Sequence, residues 1–160
     1  MNISRETLSI TSLKTFWDTG KINVPNGIDE YQREFIWNIS QKRLLIDSLF
    51  RGIDIPKIYF HVRQNENDAE IFDIVDGQQR VNSVICFLND GFKLDQDLDI
   101  TFEGENIKGK KFSELSYLSQ TNFLAKNIDI VYLHNHTDEE VREIFIRQQN
   151  GSPLKAAQIR

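Results

Sequence analysis

Apolar positions along the chain follow two different spacings, which predict helices in some segments and strands in others. In residues 41–51 they recur every three or four positions, which is the period of one helix face. That face consists of Leu45, Ile46, Leu49 and Phe50. Residues 58–64 and 70–76 are instead short β-branched and aromatic runs, which are typical of strands. The polar segment 65–69 between them predicts an antiparallel pair.

Polar residues and glycines predict where the helices begin and end. Ser40 is expected to cap the N-terminus of the helix over residues 41–51, and Gly52 is expected to end that helix. Ser113 is expected to cap a further helix over residues 114–126. Each assignment depends on a side-chain oxygen or a glycine at the edge of an apolar pattern.

Two later segments complete the pattern. Residues 128–134 form an apolar run that predicts a buried strand. Thr137 lies three residues before Glu140, which predicts a capping box at the start of a helix that runs to about Asn150. Because strands and helices mix without a regular β-α-β alternation, the predicted fold class is α/β or α+β, with a small mixed sheet and surrounding helices.

Length and composition predict a cytoplasmic globular domain. The chain has 160 residues, which fits a single domain over 1–160 with a hydrophobic core. No apolar run reaches the roughly 20 residues that a transmembrane helix needs, and the N-terminus lacks the pattern of a signal peptide. The net charge of −5 argues against a surface covered with phosphate-binding cations. A helix-like pattern stops at Arg160, so we expect an N-terminal part of a longer protein.

The most unusual stretch contains Asp76, Gly77, Gln78, Gln79 and Arg80, where a predicted strand passes into a predicted helix. The start of a helix presents free backbone N–H groups and partial positive charge, which favour an anion. Gly77 allows close approach, and Arg80 can grip phosphate oxygens in pairs. Asp76 can bind Mg²⁺ carried with a nucleotide, accept a sugar hydroxyl, or cap the helix. From these residues alone, a phosphate site and a structural cap with a surface arginine are equally good interpretations.

Two further stretches contain residues of the kind that nucleotide and nucleic-acid sites use. Tyr31, Gln32 and Arg33 lie in a predicted loop, where aromatic residues either anchor the loop to the core or contribute to a site. Arg147 and Asn150 are three positions apart on one face of the last predicted helix. That face is either an ordinary solvated surface or a part of the same site.

Four stretches together resemble a known family. They read YQREFIW, LIDSLFRGIDIPKIYF, IVDGQQRVNSV and IFIRQQNGSPLKAAQIR, in the order seen in the N-terminal domains of GmrSD-type restriction endonucleases. The resemblance covers most of residues 8–160 and implies the ParB/sulfiredoxin-like fold. It also implies a role in defence against phage or foreign DNA. Two-part members join this domain to an HNH-type nuclease region, so these 160 residues alone are not expected to cleave DNA.

One motif departs from the family pattern. The family's last motif reads Arg-x-Asn, with a Glu before the closing Ile-Arg. Here Arg147 is followed by Gln148, Gln149 and Asn150, and Gln158 stands in place of the Glu.

The resemblance implies a nucleotide-binding and NTP-hydrolysing regulatory domain, with Mg²⁺ accompanying the nucleoside triphosphate. The candidates for catalysis are Asp76, Gln79 and Arg80. The candidates for phosphate or nucleotide binding are Gly77, Gln78, Gln79, Arg80, Arg33 and Gln32. Additional candidates are Tyr31, Arg147 and Asn150. Asp76 is also the metal candidate, through the Mg²⁺ of the nucleotide.

The alternative is a non-catalytic DNA-recognition module that contacts backbone phosphates with the same turn. A groove lined by Arg33, Arg51, Arg80 and Arg147 would supply positive charge that the acidic chain otherwise lacks. Such a module would bind duplex DNA with a steep salt dependence and would not respond to nucleotides. A third interpretation is an interaction domain whose motif only caps a helix.

Overall fold

The computed structural model describes residues 2–24 and 36–151, and these residues form five α-helices and seven strands. The strands are β1 (Asn2–Ser9), β2 (Ile22–Asn23), β3 (Ile58–Gln64), β4 (Glu70–Asp76), β5 (Thr101–Phe102), β6 (Glu105–Asn106) and β7 (Asn127–His134). The helices are α1 (Ile10–Asp18), α2 (Ile39–Arg51), α3 (Gln78–Leu88), α4 (Tyr117–Leu124) and α5 (Asp138–Gly151), with a short 3-10 helix at Phe112–Glu114.

Five strands form one mixed sheet in the order β1-β7-β3-β4-β2. The pairs β1–β7 and β3–β4 are antiparallel, whereas β3–β7 and β2–β4 are parallel. Strands β5 and β6 form a separate antiparallel hairpin. The mixed sheet confirms the predicted α+β class, and the β3–β4 pair confirms the predicted antiparallel neighbours. The ParB/sulfiredoxin-like assignment stays a prediction.

The two faces of the sheet are covered by separate apolar clusters. The larger cluster includes Phe60, Ile74, Phe87 and Phe123, which are all fully buried. The smaller cluster lies on the opposite face of β4, because successive side chains of a strand point to opposite sides. It consists of Val75, Val131, Leu133, Val141 and Phe145, with Tyr59 and Ile144 packed against it. Helix α5 is therefore held on the second face of the sheet.

The start of α2 differs from the prediction. Asn38, not Ser40, is the N-cap, and its side chain accepts a hydrogen bond from the backbone N–H of Gln41 at 2.9 Å. The Gln41 side chain in turn accepts the backbone N–H of Asn38 at 2.9 Å, which completes a capping box. Ser40 was the wrong choice because Asn38 has a Gln three residues later. Gly52 ends the helix as predicted.

The start of α4 also differs, whereas the start of α5 was predicted correctly. Ser116 caps α4 and accepts the backbone N–H of Ser119, so the predicted Ser113 cap is wrong. Ser113 lies in the 3-10 helix, where its N–H donates to the Asp90 carboxylate at 2.9 Å. At α5, Thr137 and Glu140 form the predicted capping box, with bonds of 3.1 and 2.9 Å.

Among the described residues, no helix combines the length and the apolar character that a membrane span requires.

Candidate functional site

The last two residues of β4 point to the same side of the sheet because the strand is bulged. Tyr59 pairs with Asp76 and Phe60 pairs with Ile74, so Val75 is the extra residue between two paired positions. A bulge of this kind redirects the side chains on either side of it. Val75 packs with Tyr59 in the cluster under α5, and Asp76 faces the same helix. The bulge thus brings the Asp76 carboxylate out of the core and towards α5.

Gly77 makes the turn from β4 into α3. It is buried and has φ 109° and ψ 15°, a region that side chains with a Cβ rarely adopt. A Cβ at this position would lie 3.0 Å from Ile58 Cγ1 and 3.2 Å from Arg80 Nη2. No side chain of the described residues caps α3, so its first backbone N–H groups are left for another acceptor.

Among the described residues, two acceptors hold the Arg80 side chain beside this turn. Its Nη2 donates to the backbone oxygen of Lys57 at 2.8 Å and to Asp76 Oδ2 at 3.2 Å. The side chain is 13% exposed, so this is not the surface arginine of the structural interpretation. Its Nε is buried and has no hydrogen-bond partner among the described residues. Since buried polar groups are nearly always paired, this guanidinium N–H is a donor for which the described residues supply no acceptor.

The two glutamines of the turn differ in their contacts. Gln79 Oε1 accepts the backbone N–H of Trp37 at 3.2 Å, so the carbonyl end of this side chain is engaged. Gln78 Oε1 is buried and lacks a partner within the described part of the chain. Rotation of the amide by half a turn would offer an N–H at the same place. Gln78 is therefore the glutamine with an unused polar atom beside Gly77.

Asp76 does not cap α3 but joins two helices. Its Oδ2 accepts from Arg80 of α3, and its Oδ1 accepts from Gln149 Nε2 of α5 at 2.8 Å. The Asp76 side chain is 15% exposed. Charge-assisted hydrogen bonds of this kind are stronger than those between neutral groups. The carboxylate thus fixes the turn relative to α5, through a residue that lies 73 positions later in the sequence.

Of the other predicted candidates, two are exposed on α5 and three fall outside the described residues. Arg147 is 74% exposed and pairs with Glu143 at 2.8 Å, and Asn150 is also exposed. Tyr31, Gln32 and Arg33 fall within residues 25–35, outside the described residues.

Gln149 is the residue of this site that sequence reasoning missed. The family pattern Arg-x-Asn, counted from Arg147, leads to Gln149 and not to Asn150. An amide at the second position after the arginine was therefore the available signal.

The described residues suit an anion better than a resident metal ion. They contain no group of three or more His, Cys, Asp or Glu side chains arranged to hold a metal. Both oxygens of Asp76 already accept hydrogen bonds. The turn instead combines a cation that has one unpaired N–H, a closely approachable backbone and a helix start without a side-chain cap, groups of the kind that bind phosphate.

Comparison with known families agrees with the motifs. The family model described as GmrSD restriction endonuclease, N-terminal domain, matches residues 13–160, which include the whole turn from Asp76 to Arg80. A search of curated proteins gives no match. The match covers far more than half of the chain and implies a role in a restriction and defence protein. The chain therefore belongs to the family of GmrSD restriction endonuclease N-terminal domains.

Proposed function

We propose that this domain binds the phosphates of a nucleoside triphosphate at the turn from Asp76 to Arg80 and hydrolyses the bond to the terminal phosphate. In this proposal it is the regulatory part of a restriction protein whose HNH-type nuclease region acts on DNA. The observation that carries the proposal is the buried Arg80 side chain, whose Nε has no partner in the described part of the chain. A phosphate oxygen would satisfy this donor and the uncapped start of α3 together.

Each residue of the turn has a role that its geometry supports. Gly77 lets the phosphate approach the backbone, and the first N–H groups of α3 donate to its oxygens. Arg80 neutralises negative charge that develops as water attacks the γ-phosphorus and the bond to the bridging oxygen breaks. Gln78 orients the water through its unpaired Oε1. Gln79 is less suited to that role because its Oε1 already accepts from Trp37.

Mg²⁺ would accompany the nucleotide, with Asp76 as its protein ligand. In nucleotide sites this ion is commonly held by one or two carboxylates, the phosphates and water, and it neutralises phosphate charge. Each Asp76 oxygen accepts one hydrogen bond and keeps a further lone pair that could coordinate the ion. The residues therefore fit a Mg²⁺ that arrives with its nucleotide.

The described arginines support a small ligand better than duplex DNA. Three of the arginines that would line a DNA-binding groove are described, and each pairs with a carboxylate. Arg51 pairs with Asp47 at 2.9 Å, Arg147 pairs with Glu143, and Arg80 pairs with Asp76. Arg51 and Arg147 are thus largely neutralised by neighbouring carboxylates, whereas Arg80 keeps an unpaired Nε within the described residues. Because the Arg80 side chain is only 13% exposed, a terminal phosphate can reach it more easily than a phosphate inside a duplex backbone.

Calorimetric titration of the full-length protein with ATP and GTP, in the presence of Mg²⁺, tests the proposal. Wild type is expected to bind one of them and release inorganic phosphate, and Arg80→Ala is expected to weaken binding by roughly 100-fold. Arg51→Ala is the matched control, since Arg51 also pairs with an aspartate four residues earlier. It should leave nucleotide binding unchanged.

Two results would contradict the proposal. One is the absence of nucleotide binding by folded wild type. The other is a loss of duplex DNA binding in both arginine variants, with a steep salt dependence and no response to nucleotide. That second result would favour the DNA-recognition module.

A further inference from the structure

Helix α5 presents one stripe of side chains to the end of β4. Val141, Phe145 and Gln149 are spaced four residues apart and therefore lie on one face of the helix. Val141 and Phe145 are buried in the cluster that contains Val75. Gln149, one turn further on, donates to Asp76, the residue after Val75. The apolar part of the stripe fixes α5 on the sheet, and the amide at its end reaches the carboxylate.

The hydrogen bonds around Arg80 differ from those of a full arginine–carboxylate pair, and the Gln149 amide accounts for the difference. Arginine and carboxylate side chains commonly pair through two parallel hydrogen bonds. Here only Nη2 of Arg80 donates to Asp76, at 3.2 Å, and Nε has no partner within the described residues. The second carboxylate oxygen, Oδ1, is instead held by Gln149 at 2.8 Å. Gln149 thus occupies the oxygen that would otherwise be free to approach Nε.

We infer that Gln149 is a positioning residue of the phosphate site, which holds the Asp76 carboxylate on the α5 side and keeps Arg80 Nε available to a phosphate oxygen. The inference rests on the proposed nucleotide binding at this turn. A neutral amide suits this role because it donates to the carboxylate without adding a charge that would attract or repel the ligand. A cation at position 149 would bind the phosphate itself, and an anion would repel it.

The inference predicts an unusual effect of Gln149→Met, which keeps the length of the side chain and removes its donor. Asp76 is then free to rotate and pair with Arg80 through both Nε and Nη2. Binding of MgATP or MgGTP to the full-length protein should weaken by about tenfold, the effect of one charge-assisted hydrogen bond. The free energy of unfolding should stay the same or rise, because the new pair replaces the lost bond. A structural role for Gln149 would instead lower stability.

Gln148→Met is the matched control, because it makes the same chemical change one position earlier, on a half-buried residue. It should change nucleotide affinity by less than twofold. A double-mutant cycle then tests whether Gln149 acts through Asp76. In an Asp76→Ala background, Gln149→Met should have no further effect on affinity. Where Asp76→Ala is unstable, Asp76→Asn removes the charged pair and retains the shape.

Nuclear magnetic resonance of the Arg80 Nε–H gives a readout that needs no nucleotide. Its signal should shift between wild type and Gln149→Met and stay unchanged in Gln148→Met. Equal affinities of the two methionine variants, or an unchanged Nε–H signal, would overturn the role of Gln149 while leaving nucleotide binding at Arg80 intact. Failure of wild type to bind either nucleotide would instead overturn the proposed function and the inference together.

Discussion

Two half-buried carboxylates, Asp76 and Glu105, have similar surroundings at first sight. Each is paired with one cation, Asp76 with Arg80 at 3.2 Å and Glu105 with Lys110 at 2.9 Å. Their side chains are 15% and 19% exposed. The difference lies in the groups around them. Every polar neighbour that holds Glu105 is used in a hydrogen bond, whereas Arg80 still has an unpaired buried N–H among the described residues.

Glu105 connects the β5–β6 hairpin to the start of α4. It accepts hydrogen bonds from Ser119 Oγ at 2.7 Å, from Lys110 Nζ and from the backbone N–H of Ser116 at 3.1 Å. Burial raises the pKa of Glu105, but these donors together outweigh burial and lower it from 4.5 to about 2. A carboxylate that accepts hydrogen bonds from several neighbouring donors in this way stabilises the fold.

The comparison teaches that unused hydrogen-bonding capacity, and not the presence of a charged pair, separates the surroundings of Asp76 from those of Glu105. Around Asp76 the unpaired atoms are Gln78 Oε1 and Arg80 Nε, within the part of the chain that the structure describes. Leaving such atoms buried costs free energy that a purely structural turn would avoid.

Adding a methyl group to a glycine should distinguish the turn before α3 from the β5–β6 turn most clearly. Gly77→Ala is expected to cost about 3 kcal/mol, because φ 109° is unfavourable for alanine and the Cβ would meet Ile58 and Arg80. Gly104→Ala, in the β5–β6 turn, should cost only about 1 kcal/mol, since φ is 76° there and no atom lies within 4 Å of the added Cβ. Urea unfolding measures both. Equal losses would show that Gly77 is no more constrained than an ordinary turn glycine.

Removing the charge of Glu105 should destabilise the protein in a pH-dependent manner. The folded-state pKa of about 2 lies below the ordinary 4.5, so this stabilisation is fully present above about pH 4.5 and is lost as pH falls towards 2. Glu105→Gln should therefore cost about 2 kcal/mol at pH 7 and almost nothing near pH 2. The measurement is urea unfolding across this range.

Asp99→Asn is the control for that experiment. Asp99 also pairs with a lysine, Lys108 at 3.2 Å, but its side chain is 82% exposed, and exposed pairs contribute little. A difference between Glu105→Gln and wild type that does not depend on pH would contradict the interpretation of Glu105.

Loss of a single donor to Glu105 should have a smaller effect. Ser119 is fully buried, and Ser119→Ala removes the 2.7 Å hydrogen bond to Glu105. The expected cost is about 1 kcal/mol, and the pKa of Glu105 should rise because one of the donors that lower it is gone.

Ser40→Ala should change stability by less than about 0.5 kcal/mol, since Asn38 is the cap of α2. A larger loss at Ser40 would support the sequence-based cap.

Local sequence patterns were sufficient to predict most elements of the fold. The apolar periods predicted α2 and the β3–β4 pair, and Thr137 with Glu140 predicted the start of α5. Two N-caps were wrong because several polar residues close to a helix start compete, and the choice depends on reciprocal bonds such as those of Asn38 and Gln41.

The candidate site was predictable only in its local part. Its turn, glycine and arginine are contiguous in sequence, so they could be predicted together. The bulge at Val75 could not be predicted, because it depends on the register between β3 and β4. The contact between Asp76 and Gln149 depends on how α5 lies across the sheet, although the helical phase set by Val141 and Phe145 already indicated position 149.

Arg147→Ala should have the smallest effect, and it distinguishes the sequence-based candidate from the observed one. Arg147 is 74% exposed, and its partner Glu143 is 62% exposed, so the pair contributes less than about 0.5 kcal/mol to stability. If only the stripe ending at Gln149 faces the turn, Arg147→Ala should also leave nucleotide affinity within twofold of wild type in the titration used for Arg80→Ala. A tenfold loss would instead place Arg147 in contact with the ligand. The open side of the site would then extend beyond the turn to the exposed face of α5.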